Sequence, residues 1–407
     1  MTERDAGPQA GILPAVKPAL KHGARIMFAA SALMVAGCQT IVPRGTPPGG
    51  PVGPTEPTEP RPIEPGLPTD TQRHRIALLV PMSGANAGVG QSIANATTLA
   101  LLDTKAEKVR ITTYDTSLGA AAAAARALAE GNRLILGPLM AEDARVVGPI
   151  AQKAGVPVIS FSNDTSVAGN GVYLMGYSPV QSIERVVTYA RGKGMSRFAA
   201  LVPRGTYGER AGTSLLRAVE GAGGTVVSMQ PFDRSPTSIT AAVKKLDAAS
   251  PYDAVLIADG GRIAIQAAPI LRKSVRGARA QVLGTELWNT EGTIAGSPAL
   301  RGAWFASVSD GLYGQLATRY RARFGTTPFR LSSLGYDAVL LTVRIAQDWK
   351  VGTPFPARRL ADAGGFAGID GAFRFGRTGI AERALEVNQV NAGSFSVVDA
   401  APKGFGE

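Results

Sequence analysis

The sequence predicts an α/β fold of two doubly wound parallel-sheet lobes with an interlobe cleft. Three observations lead there. From residue 75 onward, short apolar runs alternate with stretches of helical spacing, and strands that are apolar throughout belong to parallel sheets covered on both faces. The alternation starts again near residue 180, so two similar units follow one another. A chain of 407 residues with 45% hydrophobic and 18% charged residues can fill two cores.

The first unit opens with RIALLVPMSG (75–84), an apolar strand ended by Pro and Ser-Gly. VGQSIANATTLALLD (89–103) has helical spacing, VRITTYDT (109–116) is a second strand, and the alanine-rich 118–130 is a helix closed by Gly131. Strand RLILGP (133–138), helix EDARVVGPIAQKAG (142–155) and strand VPVISFS (156–162) follow. In the second unit, helices 181–194, 208–224, 238–250 and 261–274 alternate with strands RFAALVP (197–203), TVVSMQPF (225–232), DAVLIAD (253–259) and AQVLGTE (280–286). Two more helices cover 314–325 and 332–349, and 371–399 reads as a hairpin-like tail with alternating apolar positions. On this reading, residues 75–179 with 309–349 form one lobe, and 180–308 with 365–400 form the other.

Composition removes several function classes. The net charge of +12 is spread singly, and the tightest groups, RKSVRGAR (272–279) and RYRAR (319–323), alternate with apolar residues as solvated helix faces do. Nucleic acid is therefore not an expected partner, while an anionic partner remains compatible with the charge. One cysteine permits neither an internal disulfide nor a cysteine-built zinc site. The two histidines, His22 and His74, precede residue 75, which argues against a histidine triad in the folded part. There is no G-x-x-x-x-G-K-[ST] loop and no G-x-S-x-G elbow, and Gly88–Gly90 is followed by Ile93 where a dinucleotide fingerprint needs glycine. A binding protein without catalysis, cofactor or metal is the expectation.

Lys17, Lys21 and Arg25 precede IMFAASALMVAG (26–37), a basic region followed by a twelve-residue apolar run. Twelve residues are too few to span a bilayer and suit a secretion signal. The run ends as VAGC, which resembles the lipobox of bacterial lipoproteins; that resemblance implies cleavage after residue 37 and acylation of Cys38. Gln39, rather than aspartate, then implies the outer membrane. Residues 41–70 hold ten prolines and five glycines. Such a segment is an extended spacer, with a reach on the order of 90 Å at about 3.1 Å per residue. Residues 38–74 are thus expected to be a tether.

The order of the folded part resembles the type I periplasmic binding proteins, the Leu/Ile/Val-binding group. The resemblance rests on IALLVPMSG, LILGP, GVPVISFSND, TYGERAGTSLLRAVEGAGGTVV, SSLGYDAVLLTVRIA and FRFGRTG, and spans roughly residues 75–400. It implies a ligand held between the lobes, in the loops beyond the strand ends. Carried over to this sequence, those loops supply Ser83 and Asn86, then Ala141 and Glu142, then Ser162, Asn163 and Asp164, and from the second lobe Tyr207, Asp259 and Glu286. Ala141 stands where amino-acid binders offer a hydroxyl, and Glu142 would repel a carboxylate. The acids are equally suited to capping helices.

The run FSNDTSVAGNGVYLMGYSP (161–179), with the lipobox and spacer, resembles lipoprotein activators of penicillin-binding proteins. That resemblance implies a tethered, periplasmic regulator of peptidoglycan synthesis whose partner is a class A penicillin-binding protein. The alternative is the ligand-capturing component of an ABC transporter.

Overall fold

The computed structural model describes residues 72–405. The expected signal, Cys38 and the spacer up to residue 71 lie outside the described residues.

The first strand, β1 (His74–Val80), starts one residue earlier than expected. His74 is buried: its ring stacks on Trp349 at 3.8 Å, and Nε2 lies 3.0 Å from the Trp349 carbonyl oxygen. The stacked ring is hidden from water, and this desolvation lowers its pKa. The expectation that both histidines precede the folded part is corrected accordingly.

β1 is followed by α1 (Ala87–Thr104), β2 (Val109–Asp115), α2 (Ala120–Ala129), β3 (Leu134–Leu136), α3 (Ala141–Lys153), β4 (Val158–Ser160) and β5 (Val172–Leu174). The five strands form one parallel sheet in the order β2-β1-β3-β4-β5. Every residue of β1 from Ile76 to Val80 is buried, as a strand covered on both faces requires. Alanines 120, 123, 124 and 127 of α2 are buried together, and their small side chains let the helix lie close to the sheet.

The second lobe runs α4 (Pro179–Gly192), β6 (Arg197–Pro203), α5 (Thr206–Gly221), β7 (Thr225–Phe232), α6 (Pro236–Asp247), β8 (Ala254–Ile257), α7 (Gly261–Lys273), β9 (Gln281–Gly284) and β10 (Trp304–Ser307). The starts of α4 and α6 follow the usual chemistry. Ser178 and Ser235 accept hydrogen bonds from Val180 N–H and Ser238 N–H, and Pro179 and Pro236 occupy the first helical positions.

The chain then returns to the first lobe as α8 (Tyr313–Phe324) and α9 (Ser332–Ala346), followed by a small antiparallel sheet of β11 (Phe366–Gly368), β12 (Gly371–Phe375) and β13 (Ala381–Arg383). Here the expected lobe boundaries need correction. Phe366, Phe373, Phe375 and Ala381 share a core with Ile76, Leu78 and Val80 of β1, so 366–383 packs on the first lobe. Only β14 (Glu386–Val390) and β15 (Phe395–Asp399) join the second sheet, whose order is β15-β14-β10-β9-β8-β6-β7. They pair antiparallel at its edge beyond β10.

The chain therefore passes between the lobes three times, at 175–178, 308–312 and 384–385. The lobes share a construction at their first strand–helix junction. Gly90 packs on the Pro81 carbonyl and Gly208 on the Pro203 carbonyl, and a Cβ at either glycine would collide with that oxygen. Among the described residues no helix is long and apolar enough to cross a membrane.

Candidate functional site

Asp164, beyond the carboxyl end of β4, meets Arg210, beyond the carboxyl end of β6, across the lobes, at the strand ends where open α/β sheets gather ligands. The predicted site residues fall into three groups there.

Ser83 and Asn86 follow β1 and are exposed. The Ser83 hydroxyl donates to Asp115 Oδ2 at 3.1 Å, and Asn86 Nδ2 approaches Met140 Sδ at 3.8 Å. Ala141 begins α3, half-buried, with Glu142 exposed in its first turn. Neither makes a polar contact with the other predicted residues among the interactions found.

Ser162, Asn163 and Asp164 follow β4. The Ser162 hydroxyl accepts from Asp164 N–H at 3.1 Å. Asp164 caps the short turn at Thr165–Val167, accepting from Ser166 N–H and Oγ at 2.9 and 2.6 Å. It also takes two arginines: Arg145 of its own lobe at 2.6 Å and Arg210, on α5 of the other lobe, at 2.5 Å. Burial would raise this carboxyl, but the Ser166 bonds and Arg210 outweigh it and hold the pKa below its usual value. Asp164 is thus both a turn cap and an interlobe ion pair. Arg210 and Asn163 line a groove of about 250 Å³ beside this pair.

Tyr207, Asp259 and Glu286 gather in the second lobe. The Tyr207 hydroxyl lies 3.0 Å from Thr285 Oγ1 and 3.1 Å from Glu286 Oε1. Asp259 accepts from Arg234 Nε and Gly260 N–H, both at 2.8 Å, so its carboxylate is engaged. Glu286 differs. It is buried, and its Oε2 has no hydrogen-bond partner. Burial pushes its pKa up to about 7.

A linkage prediction follows. Native Glu286 keeps its proton up to about pH 7, whereas the unfolded chain releases it near the ordinary glutamate value of 4.5. Stability from this group is full below that lower value and is lost as pH rises through about 7. Glu286→Gln should therefore be more stable than the parent at pH 8, and the difference should vanish toward pH 4. Thermal melts across that range test it; parallel curves would refute it.

Glu286 lines an interlobe cavity of about 20 Å³ with Tyr177, Arg330 and Arg383, none of which was expected from the sequence. Behind them lies a buried network. Asp370, fully buried, accepts from the Tyr177 hydroxyl at 2.5 Å, Ser333 Oγ at 2.8 Å and Arg330 Nη1 at 2.7 Å. Burial would raise the Asp370 carboxyl, but Arg330, Arg383 and the Tyr177 hydrogen bond hold it below its usual range. Asp337 beside it is pushed the other way, by burial and by the Asp370 charge. Arg330 also reaches Asp310 on the second crossover at 3.1 Å and lies over the Tyr313 ring at 4.2 Å. Tyr177, Asp310 and Arg383 thus bring all three crossovers to one polar hub. Among the described residues no group of three or more His, Cys, Asp or Glu side chains is placed to hold a metal.

Comparison with known proteins fits this architecture. Residues 74–394 match the family model described as periplasmic binding protein. A protein of Rhodospirillum rubrum assigned to a branched-chain amino acid ABC transporter superposes with a TM-score of 0.70 at 21% identity, covering 80% of this chain and all (100%) of that one. A Rhodopseudomonas palustris BisB5 solute-binding protein of an ABC transporter, in complex with 3,4-dihydroxybenzoic acid, gives 0.62 at 18% identity, covering 82% and 99%. A Desulfitobacterium hafniense ABC transporter substrate-binding protein in complex with Leu gives 0.63 at 17%, covering 80% and 100%. An uncharacterized protein of Rickettsia prowazekii (strain Madrid E) is 24% identical over 173 residues, 42% of this chain and 46% of the relative; the match spans about half of that curated relative's length.

Proposed function

The chain belongs to the periplasmic binding protein family, and from that premise we propose that it captures a small molecule between its lobes as the solute-binding component of an ABC-type uptake system. One observation carries this reading. Glu286, whose carboxyl is held protonated up to about pH 7, and the cation Arg383 are both buried, each has polar atoms without a partner, and both line the same interlobe cavity. Buried donors and acceptors are normally paired, so unpaired ones on residues that line a cleft support a binding role there. The role is binding, not catalysis. A periplasmic location accords with the family, and an acyl anchor at Cys38 would keep the domain at a membrane. Thermal unfolding of the purified chain against amino acids, amides, aromatic carboxylates and sugars tests the reading. A ligand at 100 times its Kd should add about 2.7 kcal/mol. No shift across the set would overturn it.

A second reading, a tethered activator of a class A penicillin-binding protein, gains support from the Asp164–Arg210 pair, which bridges the lobes directly. Fixed lobes suit a docking platform better than a hinged trap. If the pair holds the lobes together, Arg210→Ala should increase the radius of gyration in small-angle scattering. An unchanged profile would show that the pair does not hold them. The activator role itself is tested by measuring transglycosylase and transpeptidase rates with the purified chain, and no binding and no rate change would dismiss it.

A further inference from the structure

The amino ends of the first-lobe strands carry a basic face. Lys105 and Lys108 stand in the turn between α1 and β2, and Arg110 lies on β2. Arg73 precedes β1, Arg133 precedes β3, and Lys350 follows α9. Backbone contacts draw these positions together. His74 N–H donates to the Lys108 carbonyl at 2.8 Å, and Arg133 N–H to the Arg75 carbonyl at 2.9 Å. Arg75 and Arg110 are register partners in β1 and β2. Trp349, one residue before Lys350, stacks on the His74 ring at 3.8 Å. Arg110 is half-buried, and the other cations are exposed.

Most acids on this side are already paired. Asp103 meets Arg319 at 2.8 Å, Glu130 meets Arg126 at 2.8 Å and Asp348 meets Arg359 at 3.1 Å, which leaves Glu107. Among the described residues Lys105, Lys108, Arg133 and Lys350 form no ion pair. None of these cations lines either of the cavities described above. Like charges spread over strand ends, outside those cavities, suit an extended anionic surface better than one small anion.

The point of chain entry selects the kind of surface. The described domain begins inside this face, at Gln72, and His74 opens β1. A chain anchored through residues 38–71 has this face at the root of its tether, with the shortest path back to the membrane. The second lobe carries exposed Lys244, Lys245, Lys273 and Arg279 as well, but the tether does not enter there.

We propose that the basic face around Lys105, Lys108, Arg133 and Lys350 docks on an anionic phospholipid membrane. Cations within a Debye length of such a surface are drawn to its negative potential, and the attraction adds to any acyl anchor. The parallel strands then fix the direction of the cleft. Asp164 meets the other lobe beyond the carboxyl end of β4, at the opposite end of the sheet. β1 alone rises about 20 Å over its seven residues. A domain standing on its basic face thus holds the cleft away from the lipid, whatever the cleft binds.

The test uses the purified full chain carrying Cys38→Ser, which removes acylation. Sedimentation is measured with vesicles of phosphatidylcholine alone, or with equal amounts of phosphatidylcholine and phosphatidylglycerol. The mixed vesicles should bind more tightly. The difference should vanish as salt rises from about 0.1 M to about 1 M, where the screening length falls from about 10 Å to about 3 Å. Lys105→Gln, Lys108→Gln, Arg133→Gln and Lys350→Gln together should weaken binding to mixed vesicles about a hundredfold. Lys244→Gln, Lys245→Gln, Lys273→Gln and Arg279→Gln remove the same charge from the second lobe and should leave binding within about threefold of the parent. The apolar run at 26–37 is common to all variants, so these differences do not include it. Equal weakening by the two sets would mean that net charge alone acts, and would overturn the proposal. Binding to polyglutamate with none to mixed vesicles would overturn it too, making the partner a polyanion and not a membrane. Lysine acetylation of the parent stands even if the variants fail to fold. Mixed vesicles should shield Lys105, Lys108 and Lys350 and leave Lys244 and Lys245 reactive; equal rates with and without vesicles would refute docking by this face.

Discussion

Arg330→Ala is expected to lower the unfolding free energy by about 3–5 kcal/mol, because it strands a buried charge. Asp370 is fully buried, and Arg330 is its cationic hydrogen-bond partner at 2.7 Å. Tyr177 and Ser333 would still donate to it, and Arg383 would remain as a nearby cation, but without the short hydrogen-bonded ion pair that Arg330 makes. The loss should shrink on acidification. In the parent protein the Asp370 pKa is held low, so its contribution is present above the unfolded carboxylate range and is lost only as pH falls through the lower folded value. Without Arg330 that pKa rises, and the variant regains ground once the carboxyl takes a proton. Arg330→Ala combined with Asp370→Asn should cost clearly less than the sum of the two single changes, since the stranded charge is gone. Urea unfolding of the four proteins at pH 7 and pH 5 measures this. A single-variant loss below about 1 kcal/mol would show that the hub is not an energetic centre.

Trp288→Ala should cost about 3–5 kcal/mol by opening a large cavity in the second-lobe core. Trp288 is fully buried, and its indole lies so close to Gly284 that a Cβ there would enter the ring. Its Nε1 donates to the Asp259 carbonyl at 2.9 Å, which ties the end of β8 to the short helical turn Glu286–Thr290. The damage should therefore reach the cleft, since Glu286 opens that same turn. Trp288→Phe keeps most of the volume and gives up mainly the hydrogen bond, a loss of about 1–2 kcal/mol. Guanidinium unfolding gives the stability, and ligand half-saturation gives the effect on the cleft. If alanine and phenylalanine behaved alike, cavity formation would not be the cause.

The strands and helices longer than about five residues were legible because their patterns are local. β1, β6 and β7 read directly from apolar runs and α4 and α6 from helical spacing, although the expected starts at 181 and 238 missed the serine caps and prolines that open them. β5 and β10 were not found. They span three and four residues and are set by pairing with neighbouring strands, whereas the equally short β3, β4, β8 and β9 were read from their place in the strand–helix alternation. The placement of 366–383 was misjudged for a related reason. Alternation in GAFRF announces a strand but not which core its phenylalanines fill.

The site was legible only in part. The family resemblance supplied Asp164 and Tyr207, and strand-end position supplied Glu286 but also Asp259, which Arg234 and a backbone N–H engage. Neither could select Arg210, Arg330 or Arg383. An arginine in a helix or strand looks the same in sequence whether it faces water or a buried carboxylate. The sequence by itself determined two parallel-sheet lobes, their order along the chain and the loops that face each other, since apolar period and turn chemistry are properties of neighbouring residues. Tertiary structure alone decided which charges are paired, which are left open and how three crossovers meet at one hub. Those outcomes depend on distance and desolvation between residues as far apart in the chain as Tyr177 and Asp370.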